Sequence, residues 1–316
     1  MKATSLLFFS SSPIALPLFE ALLTDSRFKV LGLICQPDKN AGRPEKLTAP
    51  VTKLLAQKYA VPVYQPEKLS QDRILFEQLA KNPPDFLLTF AYGQFLPEQW
   101  LKLPRYEAFN VHPSLLPKYR GPAPLQAVLL HGEKESGITL MKMVKEMDAG
   151  PILVQHVFPL MVVNAGELFE EVSHLAKKWI PEDILSFASK NEEERYALFV
   201  EQDSTLATYC EKFSKEDSFE NFKRPLELIL RRFAAYTPWP GLWTTHQGKR
   251  LKLLNLSPSE YEFPCGVVKV MEGRLFVGTQ TQAVELLEVQ LEGKIKLPAQ
   301  VFLRGLKESL QTLPTV

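Results

Sequence analysis

The stretch "SLLFFSSSPIALPLFEALL", residues 5–23, decides the fold of the first half of the chain. Residues 5–10 are an apolar run bounded by serines, which is typical of a buried strand. Residues 13–23 are apolar at helical spacing, and Pro13 stands in the first turn, where a helix tolerates proline. A strand that passes directly into a helix predicts the beginning of a βαβ unit.

The same alternation continues to residue 112 and then beyond it. The pattern predicts an α/β fold with a Rossmann-like, mostly parallel sheet, since helices that alternate with short apolar strands form crossover connections. The predicted strands are 29–36, 61–66, 85–92, 108–112, 137–143 and 151–160. The predicted helices are 49–60, 72–81, 123–132 and 166–188.

The sequence changes character after residue 188. Residues 189–207 are polar and charged with few apolar anchors, which indicates a linker. Beyond a helical stretch at 224–236 come short alternating segments with glycine in turn positions, such as "CGVVKVMEGRLFVGT" (265–279). That pattern predicts a small β-barrel or sandwich. We therefore expect a first domain over 1–188 and a second domain over 208–316.

The composition is that of a soluble globular protein. The chain has 316 residues, of which 45% are hydrophobic and 23% charged, with a net charge of +1. No whole-chain field points to nucleic acid or to a membrane surface. The apolar run "LLFF" is too short for a signal peptide, and the widely separated Cys35, Cys210 and Cys265 indicate no disulfide framework. We expect a cytoplasmic monomer with no membrane partner.

The sequence lacks the motifs of several classes of enzyme. No phosphate-binding Walker A pattern or serine-hydrolase GxSxG occurs, and the turn after the first strand has no glycine. This excludes the dinucleotide fingerprint and argues against a nicotinamide enzyme. His131, His156, His174 and His246 show no HxxxH or HxH spacing, so we expect no metal.

The candidate site lies in "FNVHPSLLPKYRGPAP", residues 109–124, where a strand ends in a stiff cationic loop. Asn110 and His112 are two apart, so both side chains project from the same face of an extended strand. An amide and an imidazole can supply an oxyanion donor and a proton relay. Asp148, in "KEMDAGPIL", is the best third group to orient the imidazole. The alternative is structural: in it, His112 caps a strand end through backbone hydrogen bonds.

This stretch, with "GITLMKMVKEMDAGPIL" after it, resembles the signature of the formyltransferases that use 10-formyltetrahydrofolate. "QPDKNAGRPEKL" (36–47), "TYCEKFSKED" (208–217) and "PWPG" (238–241) resemble the members of that family that act on methionyl initiator tRNA. The resemblance implies transfer of a formyl group from the folate to the free α-amino group of that tRNA, without a metal. It also implies that residues 208–316 are an OB-like tRNA-binding barrel.

The resemblance also implies roles for single residues. Asn110 would stabilise the tetrahedral oxyanion, His112 would stabilise charge and relay protons, and Asp148 would orient the histidine and a water. The implied folate-binding residues are Phe90, Ala91, Tyr92, Gly93, Ser114, Leu115, Leu116, Pro117, Val144 and Met147. The implied tRNA-binding residues are Arg43, Lys46, Lys118 and Arg120. These cations suit phosphate contact, and they suit solvent equally.

The chain departs from the family pattern at two loops. The first strand ends in Ser11-Ser12-Pro13, where the family usually has Gly-Thr-Pro, and "GRPEKL" carries a proline and an acid in place of glycine and lysine. Two alternatives within the family share the catalytic trio: a sugar-nucleotide formyltransferase and a hydrolase that releases formate from the folate. A third alternative, a non-catalytic RNA- or folate-binding protein, would not need all three residues.

Overall fold

The structure is a computed structural model that describes residues 2–41, 46–306 and 310–314. The chain divides into two compact units. The first comprises residues 1–124, 135–159 and 169–210, and the second comprises residues 125–134, 160–168 and 211–316. Each unit contains its own sheet and its own core.

A seven-stranded sheet forms the centre of the first unit, in the order β5-β2-β1-β6-β7-β8-β9. Its strands are β1 (Thr4–Phe9), β2 (Phe28–Ile34), β5 (Val63–Tyr64), β6 (Phe86–Thr89), β7 (Glu107–His112), β8 (Glu135–Lys142) and β9 (Ile152–Pro159). Neighbours from β5 to β7 are parallel, whereas β8 and β9 are antiparallel to their neighbours. This confirms the Rossmann-like, mostly parallel sheet. A separate hairpin pairs β3 (Lys39–Ala41) with β4 (Lys46–Thr48).

The described residues of the two units also form helices. They are α1 (Leu16–Thr24), α2 (Val51–Lys58), α3 (Arg73–Ala80), α4 (Glu98–Leu101), α5 (Pro124–His131), α6 (Ala165–Ala188), α7 (Glu192–Ala197), α8 (Leu226–Tyr236) and α9 (Ala299–Arg304). Among the helices in the described ranges, none is both long enough and apolar enough to span a lipid bilayer.

The sequence of β1 is apolar throughout because the strand is buried on both faces of the sheet. Successive side chains of a strand point to opposite faces of the sheet, and both faces are covered here. Phe8 stacks on Phe19 of α1 with ring centroids 4.8 Å apart, while Phe9 packs edge-on against Trp100 of α4. All four rings are fully buried. A strand covered on both sides cannot alternate between apolar and polar residues.

The second unit is built on an antiparallel sheet, with strand order β10-β11-β14-β13-β12 and β15 paired to β14. The strands are β10 (Trp243–His246), β11 (Lys249–Pro258), β12 (Val268–Met271), β13 (Arg274–Val277), β14 (Val284–Leu291) and β15 (Leu297–Pro298). Ile229 of α8 and Phe302 of α9 belong to its core. This antiparallel domain confirms the second half of the predicted fold class.

The predicted linker, residues 189–207, is not a plain connector. It contains α7, which begins at a capping box between Asn191 and Glu194. Val200 then pairs with Ile152 through two backbone hydrogen bonds of 2.8 and 2.9 Å. Contacts place the whole segment, through Cys210, in the first unit. The charged composition therefore reflects an exposed helix, and the assignment of a function to each domain remains a prediction.

Candidate active site

Asn110 and His112 lie at the carboxyl end of β7. Asn110 is paired with Thr89 at the end of parallel β6, and His112 is paired with Thr139 of antiparallel β8. His112 is buried, and Asn110 is half-buried. Because the two residues are two apart on a strand, their side chains project from one face, as the sequence predicts.

Thr89 orients the amide of Asn110. The hydroxyl of Thr89 donates a 2.7 Å hydrogen bond to Asn110 Oδ1, and Thr89 is only 3% exposed. With its oxygen held in this way, the amide directs Nδ2 the other way, toward Asp148 Oδ1 at 3.4 Å. Of the two ends of an amide, only the N–H end can stabilise an oxyanion. Thr89 therefore presents the chemically useful end of Asn110.

The surroundings of His112 determine which ring nitrogen can accept a proton. Nε2 lies 2.9 Å from the carbonyl oxygen of Tyr119. A carbonyl only accepts, so Nε2 carries the hydrogen of the neutral ring. Nδ1 then holds the lone pair, 3.6 Å from Asp148 Oδ2. When Nδ1 takes up a proton, the imidazolium that forms faces the Asp148 carboxylate.

Asp148 lies in the loop between β8 and β9 with a positive φ of 51°, a conformation that aspartate adopts more readily than most residues. Its Oδ2 accepts a hydrogen bond from the backbone N–H of Gly121 at 2.9 Å. Its two carboxylate oxygens thus face Asn110, His112 and Gly121. The structure brings the three predicted side chains together around one point.

The predicted folate-binding residues 90–93 follow β6 directly. Phe90 and Tyr92 are buried, and Ala91 and Gly93 are exposed with positive φ angles of 52° and 84°. The Tyr92 carbonyl accepts a 3.3 Å hydrogen bond from Gln36 Nε2. Burial raises the pKa of the Tyr92 phenol. The segment therefore anchors two aromatic rings in the core and exposes backbone between them.

The predicted folate-binding residues 114–117 form a tightly held turn after β7. Ser114 Oγ donates to the Lys118 carbonyl at 2.8 Å, and Gln155 Nε2 donates to the Leu116 carbonyl at 2.8 Å. Leu115 and Pro117 are half-buried. In the loop after β8, Val144 is half-buried and Met147 is exposed.

The predicted tRNA-binding residues have four different outcomes. Arg43 lies outside the described residues. Lys46 begins β4 of the hairpin, and Lys118 is exposed in the loop after β7. Arg120 is only 5% exposed. Its Nε and Nη2 donate to Gln202 Oε1 at 3.1 and 2.8 Å. The structure thus favours a bracing role for Arg120 over the predicted phosphate contact, because its donors already face an acceptor within the protein.

Sequence reasoning missed Thr89, Gly121 and Gln202. Thr89 offered a weak signal, since it is the one threonine in the apolar stretch "DFLLTFAY". Gln202 offered none, because it lies in the segment that we predicted to be a linker. In the described residues, no group of three or more His, Cys, Asp or Glu side chains could hold a metal ion.

Both halves of the chain are similar to known proteins. Residues 5–184 match the family described as formyl transferase, and residues 212–307 match the formyl transferase C-terminal domain. Over 312 residues the chain is 34% identical to the methionyl-tRNA formyltransferase of Staphylococcus aureus strain MW2, covering 97% of this chain and 98% of the relative. The methionyl-tRNA formyltransferase of Latilactobacillus sakei is 34% identical over 97% of this chain and 96% of its own.

A solved structure shares the fold. The tetrahydrofolic acid complex of HypX from Aquifex aeolicus superposes with a TM-score of 0.62 at 19% identity, covering 100% of this chain and 51% of that chain. This chain therefore spans about half the length of HypX.

Proposed function

The chain belongs to the formyl transferase family, and from this premise we propose that it transfers the formyl group of 10-formyltetrahydrofolate to the free α-amino group of methionyl initiator tRNA. The observation that carries the proposal is the convergence of Asn110, His112 and Asp148 at one strand end. Relatives that act as methionyl-tRNA formyltransferases match nearly the full length, both domains included.

In the proposed reaction, the substrate's own amine attacks the formyl carbon, so no covalent enzyme intermediate is needed. The carbonyl π electrons move to the oxygen, and the Asn110 Nδ2–H donates to the oxyanion that forms. A preorganised donor of this kind is typically worth ~10²–10³ in rate. The bond between carbon and the folate nitrogen then breaks, which yields tetrahydrofolate and the formylated amine.

His112 and Asp148 handle the proton in this proposal. The attacking amine becomes positively charged and must lose a proton, while the departing folate nitrogen must gain one. His112 Nδ1, with its lone pair beside the Asp148 carboxylate, takes the first proton and supplies the second. Asp148 stabilises the intervening imidazolium. The carbonyl of Tyr119 holds the ring so that Nδ1, rather than Nε2, faces the reaction.

The formyl donor is a substrate, and we propose that residues 90–93 bind its pterin through backbone groups. The exposed backbone at Ala91 and Gly93 fits such hydrogen bonding. The turn 114–117 and the loop residues Val144 and Met147 complete the proposed folate site. Thr89 Oγ1 lies 3.4 Å from the sulfur of Met143, so the end of β6 and the start of that loop meet.

For the tRNA, we propose contact through residues 208–316 and through the β3–β4 hairpin. Lys46 lies in that hairpin and Lys118 is exposed after β7. Both are cations whose phosphate contacts would fix position without reading sequence. We propose that the enzyme acts as a monomer in the cytoplasm, where initiator tRNA is charged.

The deciding experiment supplies 10-formyltetrahydrofolate with one of four acceptors: methionyl initiator tRNA, uncharged tRNA, an amino-sugar nucleotide, or none. Formylation of the charged tRNA alone is the expected result. Formate release that does not depend on an acceptor would indicate the hydrolase instead. Transfer to the amino-sugar nucleotide without transfer to methionyl-tRNA would contradict the proposal.

A further inference from the structure

Gln202 lies between a buried cation and the loop that carries Asp148. Its Oε1 accepts two hydrogen bonds from Arg120, at 3.1 and 2.8 Å. Its Nε2 donates to the carbonyl oxygens of Asp148 and Gly150, at 2.8 and 2.7 Å. One amide therefore joins residue 120 to the loop at 148–150, and we call these four hydrogen bonds the Gln202 brace.

The charge of Arg120 fixes the orientation of the amide. A guanidinium has donors only and stays protonated in proteins. The amide end that faces it must therefore be the oxygen, so the nitrogen end faces the two carbonyls. Hydrogen bonds with a charged donor are about twice as strong as neutral ones, and Arg120 is nearly buried. The brace has a single workable orientation.

The loop needs such a restraint. Asp148 is held at positive φ, and the residues before it, Lys145 to Met147, are exposed. Gly150 is closely packed, since a Cβ there would lie 2.0 Å from the Lys142 carbonyl oxygen. The brace holds the main chain at both 148 and 150, so it fixes the direction in which the Asp148 side chain leaves the backbone.

The brace also acts on the carboxylate. Gly121, next to Arg120 in sequence, donates its N–H to Asp148 Oδ2. A shift of Arg120 would move that donor. The backbone and the side chain of Asp148 are thus held by two adjacent residues of one loop, one of them through Gln202.

From these contacts we propose that Gln202, fixed by Arg120, is a positioning residue for Asp148 and sets the turnover rate rather than substrate binding. The proposal rests on the proposed function, because it assumes that Asp148 orients His112 during formyl transfer. A misplacement of about 1 Å in an active site can cost ~10²-fold in rate.

The test is steady-state formyl transfer by Gln202→Leu and Gln202→Glu. Leucine removes every contact of the brace. Glutamate keeps an acceptor for Arg120 but removes both donors to the carbonyls, so it serves as the second variant if the leucine variant fails to fold. For each variant we expect kcat to fall ~10- to 100-fold, with the KM values for folate and for methionyl-tRNA within about threefold of the parent.

Ser173→Ala is the matched control for a purely structural loss. Ser173 is buried in the same unit and donates one hydrogen bond to the Ile14 carbonyl at 2.7 Å. The Ser173→Ala variant should have a lower melting temperature than the parent and an unchanged kcat. The double variant Arg120→Gln, Gln202→Leu should have a kcat no lower than that of Gln202→Leu alone, since both changes break the same brace.

Two results would overturn the inference. A kcat within twofold of the parent for Gln202→Glu would show that the brace does not position Asp148. A raised KM for tRNA with unchanged kcat would contradict the positioning role and favour the tRNA contact that the resemblance implies for Arg120. Failure of the proposed function is distinguishable, because the parent enzyme itself would then not formylate methionyl-tRNA.

Discussion

The Thr89 hydroxyl donates its hydrogen bond to the side-chain oxygen of Asn110, over 2.7 Å. Thr89 lies at the end of β6 and Asn110 at the matching position of β7, so the pair is set by the parallel register of the two strands. The contact decides which end of the amide faces the reaction.

Replacement of Thr89 by valine should therefore impair catalysis without enlarging a cavity. Valine has nearly the same shape but cannot donate, so Asn110 is free to turn its oxygen toward the oxyanion. We expect kcat to fall about tenfold or more, since one oxyanion donor is worth ~10²–10³. Thr89→Ser keeps the hydroxyl and should stay within about threefold of the parent in the same steady-state assay. Equal activity of the valine and serine variants would contradict the orienting role.

Loss of the Asn110 amide should affect the chemical step far more than binding. For Asn110→Ala we expect kcat to fall ~10²–10³-fold, because the lost donor acts on charge that develops only in the transition state. Equilibrium titration with tetrahydrofolate should give a dissociation constant close to that of the parent. Near-parental turnover would mean that Asn110 is not the oxyanion donor.

Gly121 should tolerate no side chain. Its φ is +119°, and a Cβ would lie 2.2 Å from the Cys210 carbonyl oxygen. Gly121→Ala should therefore lower the melting temperature and also displace the N–H that donates to Asp148. Gly248 is the control: its φ is +70° with open space around it, so alanine there should cost only about 1–2 kcal/mol of stability. If the two variants lose equal stability and both stay active, the close approach at Gly121 does not matter.

Asp85 should make folding stability depend on pH in the acid range. Burial raises the pKa of this carboxyl, but hydrogen bonds from the Ser5 backbone and hydroxyl, both 2.8 Å, together with Arg105, outweigh burial and leave the pKa below its usual value. A carboxyl with a lowered folded-state pKa stabilises the fold above its unfolded pKa, about 3.9. That contribution is lost as the pH falls through the folded-state pKa.

The variant Asp85→Asn should therefore be less stable than the parent at pH 7, by about 1–3 kcal/mol. The difference should shrink as the pH falls below about 4. Urea unfolding of both proteins between pH 7 and pH 2 measures it. A difference that stays constant over that range would show that the charge of Asp85 does not contribute.

Local pattern predicted most of the longer strands and helices and the chemistry that a single strand can carry, but not the β3–β4 hairpin, α4 or α7. The apolar run at 5–10 is β1, and the spacing of Asn110 and His112 gave their shared face. The pattern could not give strand direction, because an apolar strand reads the same whether its neighbour is parallel or antiparallel. For this reason the antiparallel direction of β8 and β9 relative to their neighbours was not predicted.

Two errors have specific physical causes. The predicted strand 85–92 ends at Thr89, because Ala91 takes a positive φ. The turn is hidden in the sequence, since Phe90 and Tyr92 on either side of it are still buried. Arg120 is predicted to meet phosphate or solvent from its place in the loop after β7, but the structure buries it. Its acceptor, Gln202, stands 82 positions away in sequence, and no local pattern reports a partner at that distance.

The pairing of residues 208–210 with the loop after β7 bears on how this protein can be divided. The Arg120 N–H donates to the Thr208 carbonyl at 2.9 Å, and the Cys210 N–H donates to the Arg120 carbonyl at 2.8 Å. A truncated catalytic fragment that stops at residue 188 would discard this pairing along with Gln202. A fragment for expression, or a chimaera with a different C-terminal domain, should therefore keep the natural chain through Cys210.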